Sequence, residues 1–476
     1  MTVSMTGSLI DNRYHLHELL GVGSMGAVHR ATDRLTQTTV ALKQVTTALD
    51  HLGLVPTSPT PVPTTLNTAL ANEFQTLASL HHPHIIDVLD YGFTAAGPYF
   101  SMEYLPAAQS ITEAGLALDL FGRVDLLIQT LQALAYLHRH DIIHRDLKPA
   151  NILVRGGSLK VLDFGLSVQR AHGSELGGTL AYIAPEVLAG QPPTEAADLY
   201  AVGVLAYEMF AGRHPFPTDN ISQLIRQVLG ESPDLGALRF PPIKGGSPAR
   251  QSARLAAAMT AIIGRLLAKT PSDRYPSAQA VIGALGEALE RSDLAEESAE
   301  VRESFLKAAR FVGRTAERDQ LLAALADAID GRGSIWLVAG ESGIGKTRLL
   351  DELRIPAMIR GITVLYGQAG PGSPPYQYWR APLRRLALST PLSDLDAGVL
   401  KTILPDLDNL LGRSIPDAPA LESRDARQRL ITTIAGVFRA QPLPVVLLLD
   451  DLQWASESLL PLREMARNIH ELPLLV

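Results

Sequence analysis

The sequence of 476 residues contains no cysteine, which excludes disulfide frameworks, cysteine-ligated zinc, iron–sulfur clusters and thiol nucleophiles. It also lacks an excess of positive charge, because 42 Lys and Arg oppose 49 Asp and Glu for a net charge of −7, so no basic field favours nucleic acid. The longest apolar runs, such as Leu443 to Leu449, are far shorter than the roughly 18 residues of a membrane-spanning helix. The N-terminus has no basic start followed by an apolar stretch, as a signal peptide would. These absences favour a cytoplasmic enzyme or regulator that uses neither nucleic acid nor a membrane.

Hydrophobic periodicity predicts a β-rich region followed by a helical one. Residues 12–104 look like strands with one helix, and residues from 119 to about 290 look mostly helical. The segment Val124 to Arg139 carries leucines at the spacing of a buried helical stripe. Four prolines between Pro56 and Pro63 predict an extended surface loop over His51 to Thr65. The charged, Ala-rich segment from Glu287 to Arg310 predicts a solvated connector.

A second folding unit is predicted from Phe311 onwards. Its patterns predict a helix over Arg318 to Ile329, a strand over Ser334 to Ala339 and a very apolar strand over Val445 to Leu449. Strands that are apolar on consecutive residues are typical of a parallel sheet covered on both faces. Trp336 and Trp454, which flank the motifs of this unit, are interpreted as core packing.

A glycine-rich turn follows the strand-like segment Tyr14 to Leu20. The absence of side chains in such a turn lets backbone N–H groups approach phosphate oxygens. Because the residues after Gly26 look like a returning strand and not a helix, a hairpin over phosphates is favoured over a dinucleotide-binding turn. The next strand, Val40 to Lys43, places one cation after three apolar residues.

Further motifs follow in order: His144-Arg-Asp146-Leu-Lys148-Pro-Ala-Asn151, then Asp163-Phe-Gly165, then Ala184-Pro-Glu186. With the glycine-rich turn and Lys43, they resemble the Hanks-type serine/threonine protein kinases. The resemblance covers about residues 12–290, with a small lobe over 12–104 and a large lobe over 105–290. It implies the bilobal α+β kinase fold and transfer of the ATP γ-phosphate to protein Ser and Thr hydroxyls.

The resemblance implies a role for each motif. Lys43 would hold the α and β phosphates and Glu73 would position Lys43. Asp146 would orient the substrate hydroxyl, Lys148 would neutralise the γ-phosphate, and Asn151 and Asp163 would ligate Mg²⁺. The implied nucleotide contacts come from the glycine-rich turn, the strands and the segment joining the lobes: Gly21, Val22, Gly23, Ser24, Gly26, Val28, Ala41, Lys43, Met102, Glu103, Leu105 and Leu153. Asp198 and Arg274 match structural positions of the family, and Arg274 would pair with Glu186.

The residues around the activation segment narrow the expected substrate. Lys148 and Thr179 resemble the serine/threonine branch, and Arg145 resembles kinases in which that arginine pairs with an activation-loop phosphate. We favour Ser174 over Ser167 and Thr179 as the regulatory acceptor. The interval from Lys43 to Glu73 is longer than the family usually shows, and the Pro/Thr loop fills it. Either a tolerated loop insertion or a regulated segment explains the excess.

A second phosphate-binding motif lies in the C-terminal unit. The sequence Gly340-Glu-Ser-Gly343-Ile-Gly345-Lys346-Thr347 follows a strand-like segment and precedes a helical one, which is the context of a P-loop. Its amides and the helix N-terminus would bind phosphates, Lys346 would reach the β and γ groups and Thr347 would bind Mg²⁺. Asp450, after the apolar strand, would complete the magnesium shell, and Asp451 could position the attacking water.

With Phe311-Val-Gly313-Arg314 and Asp450-Asp-Leu-Gln-Trp454, residues 310–476 resemble the AAA-like signal-transduction ATPases called STAND. We expect a connector over 291–309 and an α/β P-loop domain that is incomplete, with slow hydrolysis at best and oligomerisation possible through this module. The function expected for the chain is an ATP- and Mg²⁺-dependent serine/threonine protein kinase coupled to a nucleotide-binding switch. Alternatives are a regulatory scaffold whose kinase-like domain only binds partners, and a metabolite kinase, which Lys148 disfavours.

Overall fold

The structure is a computed structural model that describes residues 9–23, 26–44, 64–94, 97–163, 180–242, 249–291 and 313–476. Its contacts divide the chain into two compact units. The first contains Met1–Ala71, Leu89–Met102 and Arg310–Val476, and the second contains Asn72–Val88 and Glu103–Ala309. The N-terminal strands therefore share a unit with the C-terminal region, although they are distant in sequence. The domain boundaries expected at residues 290 and 310 stay a prediction.

A six-stranded sheet, which we call the N-terminal sheet, begins the first unit, and its first four strands pair antiparallel with one another in chain order. Its strand order is β1-β2-β3-β4-β6-β5. Tyr14 and Leu16 are buried while His15 between them is exposed, so successive side chains face opposite sides. Tyr14 and Leu16 pack with Leu42 and Tyr99 in the core of the sheet. The strands are β1 Leu9–Ile10, β2 Tyr14–Gly23, β3 Gly26–Asp33, β4 Thr39–Gln44, β5 Val88–Thr94 and β6 Gly97–Glu103.

The second unit is mostly helical, and we call it the helical unit. Its central helix begins at Leu120 and not at Val124, because the Asp119 side chain accepts a hydrogen bond from the backbone N–H of Gly122 and caps the helix. The helices are α1 Thr64–Ala78, which enters this unit at Asn72, α2 Ile111–Ala117, α3 Leu120–Arg139, α4 Pro185–Leu188, α5 Glu195–Ala211, α6 Ile221–Gly230, α7 Ala249–Leu266 and α8 Ala278–Leu289. A small sheet contains β7 Gln109–Ser110, β8 Ile152–Arg155 and β9 Ser158–Val161.

Residues 313–476 form an α/β arrangement, which we call the C-terminal module. The parallel sheet expected here is confirmed, with the order β10-β11-β12. The strands are β10 Thr363–Gln368, β11 Val445–Asp450 and β12 Leu474–Leu475. The helices are α9 Thr315–Ile329, α10 Lys346–Ile359, α11 Arg380–Ser389, α12 Asp394–Leu400, α13 Leu407–Leu411, α14 Ser423–Arg439 and α15 Leu460–Ala466.

Two expectations about this module are wrong. Ser334 to Ala339 is not a regular strand: its pairing consists of a bridge from Ser334 to Leu475 and a bond from the Trp336 N–H to the Val476 carbonyl, 2.8 Å long. Pairing on one side leaves Leu337 79% exposed. Trp336 and Trp454 are 43% and 52% exposed, so neither is a core residue.

Helices long and apolar enough to cross a membrane do not occur in the described ranges.

Candidate nucleotide sites

A short loop of the helical unit brings three predicted site residues together. The Asp146 carboxylate accepts a bond of 2.9 Å from the Asn151 side-chain nitrogen and lies 2.9 Å from the Lys148 ammonium. The same Asn151 nitrogen also donates to the Asp146 carbonyl at 2.8 Å. The loop thus holds the Asp146 carboxylate between the Asn151 amide and the Lys148 ammonium, and the Asp146 side chain is 22% exposed.

Asp198, on helix α5, accepts hydrogen bonds from the backbone of this loop. Its two carboxylate oxygens accept the backbone N–H groups of His144 and Arg145, each at 2.9 Å, and one of them also contacts His138 at 2.8 Å. Arg145 has a φ of 68°, a conformation that costs a non-glycine residue free energy. The buried bonds to Asp198 stabilise that turn. The sequence indicated a structural role for Asp198 but gave no sign that His138 would share it.

The position of the predicted metal ligand Asp163 is set by hydrogen bonds to the backbone of its neighbour Leu162. The Leu162 N–H donates to the Asn151 carbonyl at 2.8 Å, and the His144 ring lies 3.0 Å from the Leu162 carbonyl. Burial lowers the pKa of His144, so the ring stays neutral. Since the Asn151 amide uses its nitrogen for both bonds to Asp146, its oxygen is the atom suited to a cation. One amide oxygen and one carboxylate fit Mg²⁺, which proteins commonly hold with few side chains plus substrate phosphates.

Arg274 and Glu186 form the ion pair that the motifs predict. Two bonds of 2.8 and 2.7 Å join the guanidinium to the carboxylate, and both side chains are buried. Arg274 also donates to the carbonyls of Ala196 and Ala268. A planar guanidinium that satisfies a carboxylate and two carbonyls joins α4 and α5 to the segment before α8.

The N-terminal sheet holds the other predicted nucleotide contacts. Strands β2 and β3 pair up to Gly23 opposite Gly26, which confirms a hairpin, and Val28 lies opposite Lys43 on β4. Lys43 is only 5% exposed, with its ammonium 5.8 Å from the centre of the Phe100 ring. Gly21 and Val22 are exposed, Val28 is half-buried, and Ala41 and Met102 are buried.

The remaining predicted residues of the kinase resemblance lie in the helical unit or outside the described ranges. Glu73 on α1 is 1% exposed. Glu103, Leu105 and Leu153 are half-buried, and the Glu103 N–H donates to the Asp87 carbonyl at 2.9 Å. Residues outside the described ranges are Ser24, Gly165, Ser167, Ser174 and Thr179, together with most of the Pro/Thr loop.

The P-loop of the C-terminal module ends at the first residue of α10. Gly343 and Gly345 have φ values of 80° and 91°, which glycine adopts without strain. The Lys346 ammonium donates to the carbonyls of Gly340 and Glu341 at 3.0 and 2.9 Å. The positive end of the helix dipole favours an anion at this point.

Asp450 and Asp451 lie at the carboxyl end of β11, beside the P-loop. The Thr347 hydroxyl donates to the Asp450 carboxylate at 3.1 Å. A hydroxyl and a carboxylate in contact suit Mg²⁺. Asp451 accepts bonds from the Gln368 and Gln453 side chains, both 3.0 Å long, and these bonds lower its pKa.

Two residues of this site were missed in the sequence. Tyr366 and Gln368 are at the end of β10, which pairs in parallel with β11. The Tyr366 hydroxyl donates to Asp450 at 3.2 Å, and burial together with that carboxylate raises the pKa of Tyr366 to about 12. The signal available was the rule that the carboxyl ends of neighbouring parallel strands meet at one edge. A cavity of about 530 Å³ adjoins Lys346, Asp450 and Asp451.

Comparisons with known proteins match two domain families to this chain. A family model for the protein kinase domain matches residues 14–283, and one for an AAA ATPase domain matches residues 310–476. A probable serine/threonine-protein kinase of Streptomyces coelicolor is 33% identical over 285 residues, which are 56% of this chain and 39% of that protein. The serine/threonine-protein kinase Pkn1 of Myxococcus xanthus is 34% identical over 287 residues, 58% of this chain and 38% of its own.

One further relative and one solved structure also match this chain. The serine/threonine-protein kinase PknB of Mycobacterium tuberculosis is 31% identical over 287 residues, covering 57% of this chain and 42% of its own. The chain therefore spans about two fifths of the length of these relatives. Among solved structures, the twitchin kinase region from C. elegans matches 66% of this chain and 51% of its own at 26% identity, with a TM-score of 0.45.

Proposed function

The chain belongs to the protein kinase family through residues 14–283, and from that premise we propose that it transfers the γ-phosphate of ATP to serine and threonine hydroxyls of protein substrates. We further propose that the AAA ATPase domain over 310–476 binds a second nucleotide and regulates this transfer. The observation that carries the first proposal is the carboxylate of Asp146, held by Asn151 and Lys148.

The proposed reaction is a direct displacement at phosphorus. The substrate hydroxyl oxygen forms a bond to the γ-phosphorus, the bond to the bridging oxygen of ADP breaks, and the hydroxyl proton passes to the Asp146 carboxylate. Lys148, 2.9 Å from Asp146, supplies positive charge for the transferred group, and Lys43 holds the α and β phosphates. Asn151 and Asp163 would hold Mg²⁺, which would neutralise the charge that develops on the phosphate oxygens.

Specificity for serine and threonine is supported by two observations. Lys148 follows Asp146 at the spacing of that branch, and the relatives that match residues of the kinase domain bear the name serine/threonine-protein kinase. For the second site, the contact of Thr347 with Asp450 and the carbonyl-bound Lys346 support a P-loop that holds a nucleotide with Mg²⁺. Ser174 stays our proposed regulatory acceptor.

The test of the kinase proposal is the isosteric variant Asp146→Asn. Incubated with Mg²⁺, radiolabelled ATP and a generic peptide substrate, it should transfer phosphate roughly 10²- to 10⁴-fold more slowly than the unmodified chain, because the acceptor of the hydroxyl proton is gone. The matched control is Asp125→Asn, which changes an exposed carboxylate of α3 bonded to Gln129 and should leave the rate unaltered.

Two results would contradict the proposal. Equal rates for Asp146→Asn and the unmodified chain would remove Asp146 from the reaction and favour the scaffold reading. Label recovered on tyrosine, and not on serine or threonine, after acid hydrolysis of the product would contradict the proposed substrate class.

A further inference from the structure

The N-terminal sheet contacts helix α11 of the C-terminal module through the turn between β1 and β2. The Arg385 guanidinium lies 2.5 Å from the Asp11 carboxylate, which also accepts the Tyr99 hydroxyl at 2.9 Å. The Asn12 side-chain nitrogen donates to the Leu388 carbonyl at 3.1 Å. Asp11 and Asn12 have φ values of 51° and 53°, a conformation that these residue types tolerate better than most.

The turn between β3 and β4 makes a second contact with the same helix. The Arg384 guanidinium donates to the Leu35 carbonyl at 2.8 Å and pairs with Asp406. The Leu35 side chain packs against the core cluster of the C-terminal module, and Arg34 donates to the Leu410 carbonyl. Adjacent arginines of α11 thus engage two different turns of the N-terminal sheet.

A third point of approach lies on β5. A Cβ atom at Gly361 would lie 3.2 Å from the Phe93 ring, so this glycine permits the ring to approach the end of α10. Burial of Arg385 would by itself lower its pKa, but the carboxylates of Asp11 and Asp90 raise the pKa above the ordinary value. The buried charge of Arg385 is therefore balanced by a carboxylate. Removing either Arg385 or Asp11 would leave the charge of the other without its counter-ion.

Helix α11 is also attached to the loop that carries the acidic residues of the second site. The Trp379 indole and the Tyr378 hydroxyl donate to the Ser458 carbonyl at 2.8 and 2.6 Å, and the Tyr376 N–H donates to the Ser458 hydroxyl at 2.7 Å. Upstream, Gln368 at the end of β10 is bonded to Asp451. The residues just before α11 are thereby bonded to Ser458, and the end of β10 is bonded to Asp451.

We propose that helix α11 couples the two nucleotide sites: binding at the P-loop moves the segment around Asp451, and Arg384 and Arg385 transmit that movement to the β1–β2 and β3–β4 turns of the kinase domain. This inference rests on the proposed function of both sites. Coupling between two binding sites is reciprocal and commonly amounts to 5- to 150-fold in affinity. Because the contact is intramolecular, a small number of bonds suffices to keep it formed.

The first test is a double-mutant cycle in the full chain. Lys346→Ala weakens nucleotide binding at the P-loop, and Arg385→Ala breaks the contact with Asp11. Lys346→Ala should change the kcat/KM of peptide phosphorylation at least about fivefold in the unmodified background, and less than about 1.5-fold in the Arg385→Ala background. The same factor in both backgrounds would overturn the proposal.

Two variants separate coupling from a general loss of structure. Arg467→Ala removes an arginine of the same module that is 73% exposed and paired with Glu464, and it should leave the fivefold effect intact. Asp11→Asn keeps a residue that tolerates the left-handed turn but removes the charge facing Arg385, and it should weaken the effect as Arg385→Ala does. Loss of the effect in Arg467→Ala, or its full retention in Asp11→Asn, would contradict the role assigned to this ion pair.

The second test does not depend on kinase activity. In a chain carrying Lys43→Ala, a nonhydrolysable ATP analogue with Mg²⁺ should slow amide hydrogen exchange at residues 345–350 and also change it at residues 9–16. Adding Arg385→Ala should abolish only the change at residues 9–16. No change at residues 9–16 despite protection of 345–350 would overturn the coupling, whereas no protection of 345–350 would overturn the proposed P-loop site and the coupling with it.

Discussion

The Asp146 loop of the helical unit and the P-loop of the C-terminal module are built in different ways. The first is surrounded by buried side chains that are distant in sequence: Asp198 holds the backbone of residues 144–145, and Arg274 holds Glu186. The second uses main-chain carbonyls, glycines with positive φ and a helix N-terminus. Its side-chain bonds, from Thr347 and Gln368, are exposed.

This difference predicts which substitutions should disrupt each site. A buried polar scaffold orders its loop in advance, but removing one member leaves other polar groups unsatisfied, which is costly. A site made from backbone depends mainly on its own few residues and tolerates change elsewhere. Substitutions distant from the two proposed sites should therefore affect the Asp146 loop more than the P-loop.

The largest effect is expected for Arg274→Ala. It leaves the Glu186 carboxylate buried without its guanidinium, which should lower the free energy of unfolding of the helical unit by about 3–5 kcal/mol. Arg467→Ala, an exposed pair of the C-terminal module, should cost at most about 1 kcal/mol. Denaturant-dependent hydrogen exchange, followed separately at residues 249–291 and 423–439, measures both. Similar losses in the two variants would break the comparison.

The next effect is expected for Asp198→Asn. An amide places an N–H group against one of the two backbone N–H groups that the carboxylate now accepts, so the Asp146 loop should shift. Misplacement on this scale typically slows a reaction about 10²-fold, which should appear in the kcat of peptide phosphorylation. Asp234→Asn, at an exposed carboxylate, is the control. An undiminished kcat in Asp198→Asn would show that the loop does not depend on its buried support.

A smaller, local effect is expected for Thr347→Val. Losing the hydroxyl that contacts Asp450 should weaken Mg²⁺-dependent nucleotide binding at the P-loop about tenfold, equivalent to about 1.4 kcal/mol. Calorimetric titration of a Lys43→Ala chain isolates this site. Thr347→Ser retains the hydroxyl and should bind as the unmodified chain does. Equal weakening by both substitutions would show that loss of the hydroxyl has no special effect and would contradict its assigned role.

The smallest effect concerns pH. Burial lowers the pKa of His82 to about 3 and lowers the pKa values of His84, His144 and His214. The unfolded chain binds these protons near pH 6.5 and the folded chain does not, so stability is present above pH 6.5 and falls as pH drops below it.

Between pH 7 and 6 His82 should contribute a loss of roughly 0.7 kcal/mol, and the lowered pKa values of His84, His144 and His214 act in the same direction. Unfolding of the helical unit, followed by hydrogen exchange at both pH values, should show it, and His82→Asn should reduce the mean slope over this interval by about half a proton. Residues 313–476 contain a single histidine, the exposed His470, so the C-terminal module should show little change. Equal slopes in the two regions would contradict the assignment.

The motifs could be predicted from sequence because phosphate chemistry requires particular residues at particular spacings. The glycine hairpin, the Arg274–Glu186 pair and the parallel strand that ends at Asp450 follow from local patterns or from the family resemblance they support. The irregular structure of Ser334 to Ala339 could not be predicted from the sequence. The apolar pattern of this segment predicts a strand, but it does not show whether neighbouring strands are there to pair with it. Regular pairing requires partners on the sheet, which the pattern does not encode.

The interface between the N-terminal sheet and helix α11 was beyond sequence reasoning for a different reason. Asp11 and Arg385 are separated by 374 positions, and neither lies in a motif. The sequence around a surface aspartate or a helical arginine gives no sign of whether the two side chains form an ion pair. The same applies to Tyr366 and Gln368, whose roles depend on which strand lies beside β10.

The pairing of Asp11 with Arg385 also constrains how such a gene can be rearranged. A chimera that joins this small lobe to an unrelated ATPase would keep both nucleotide motifs yet lack the arginine pair opposite residues 11 and 35. Recombination between the two coding regions is therefore expected to preserve catalysis and lose control, so that the turn and the helix should be inherited together.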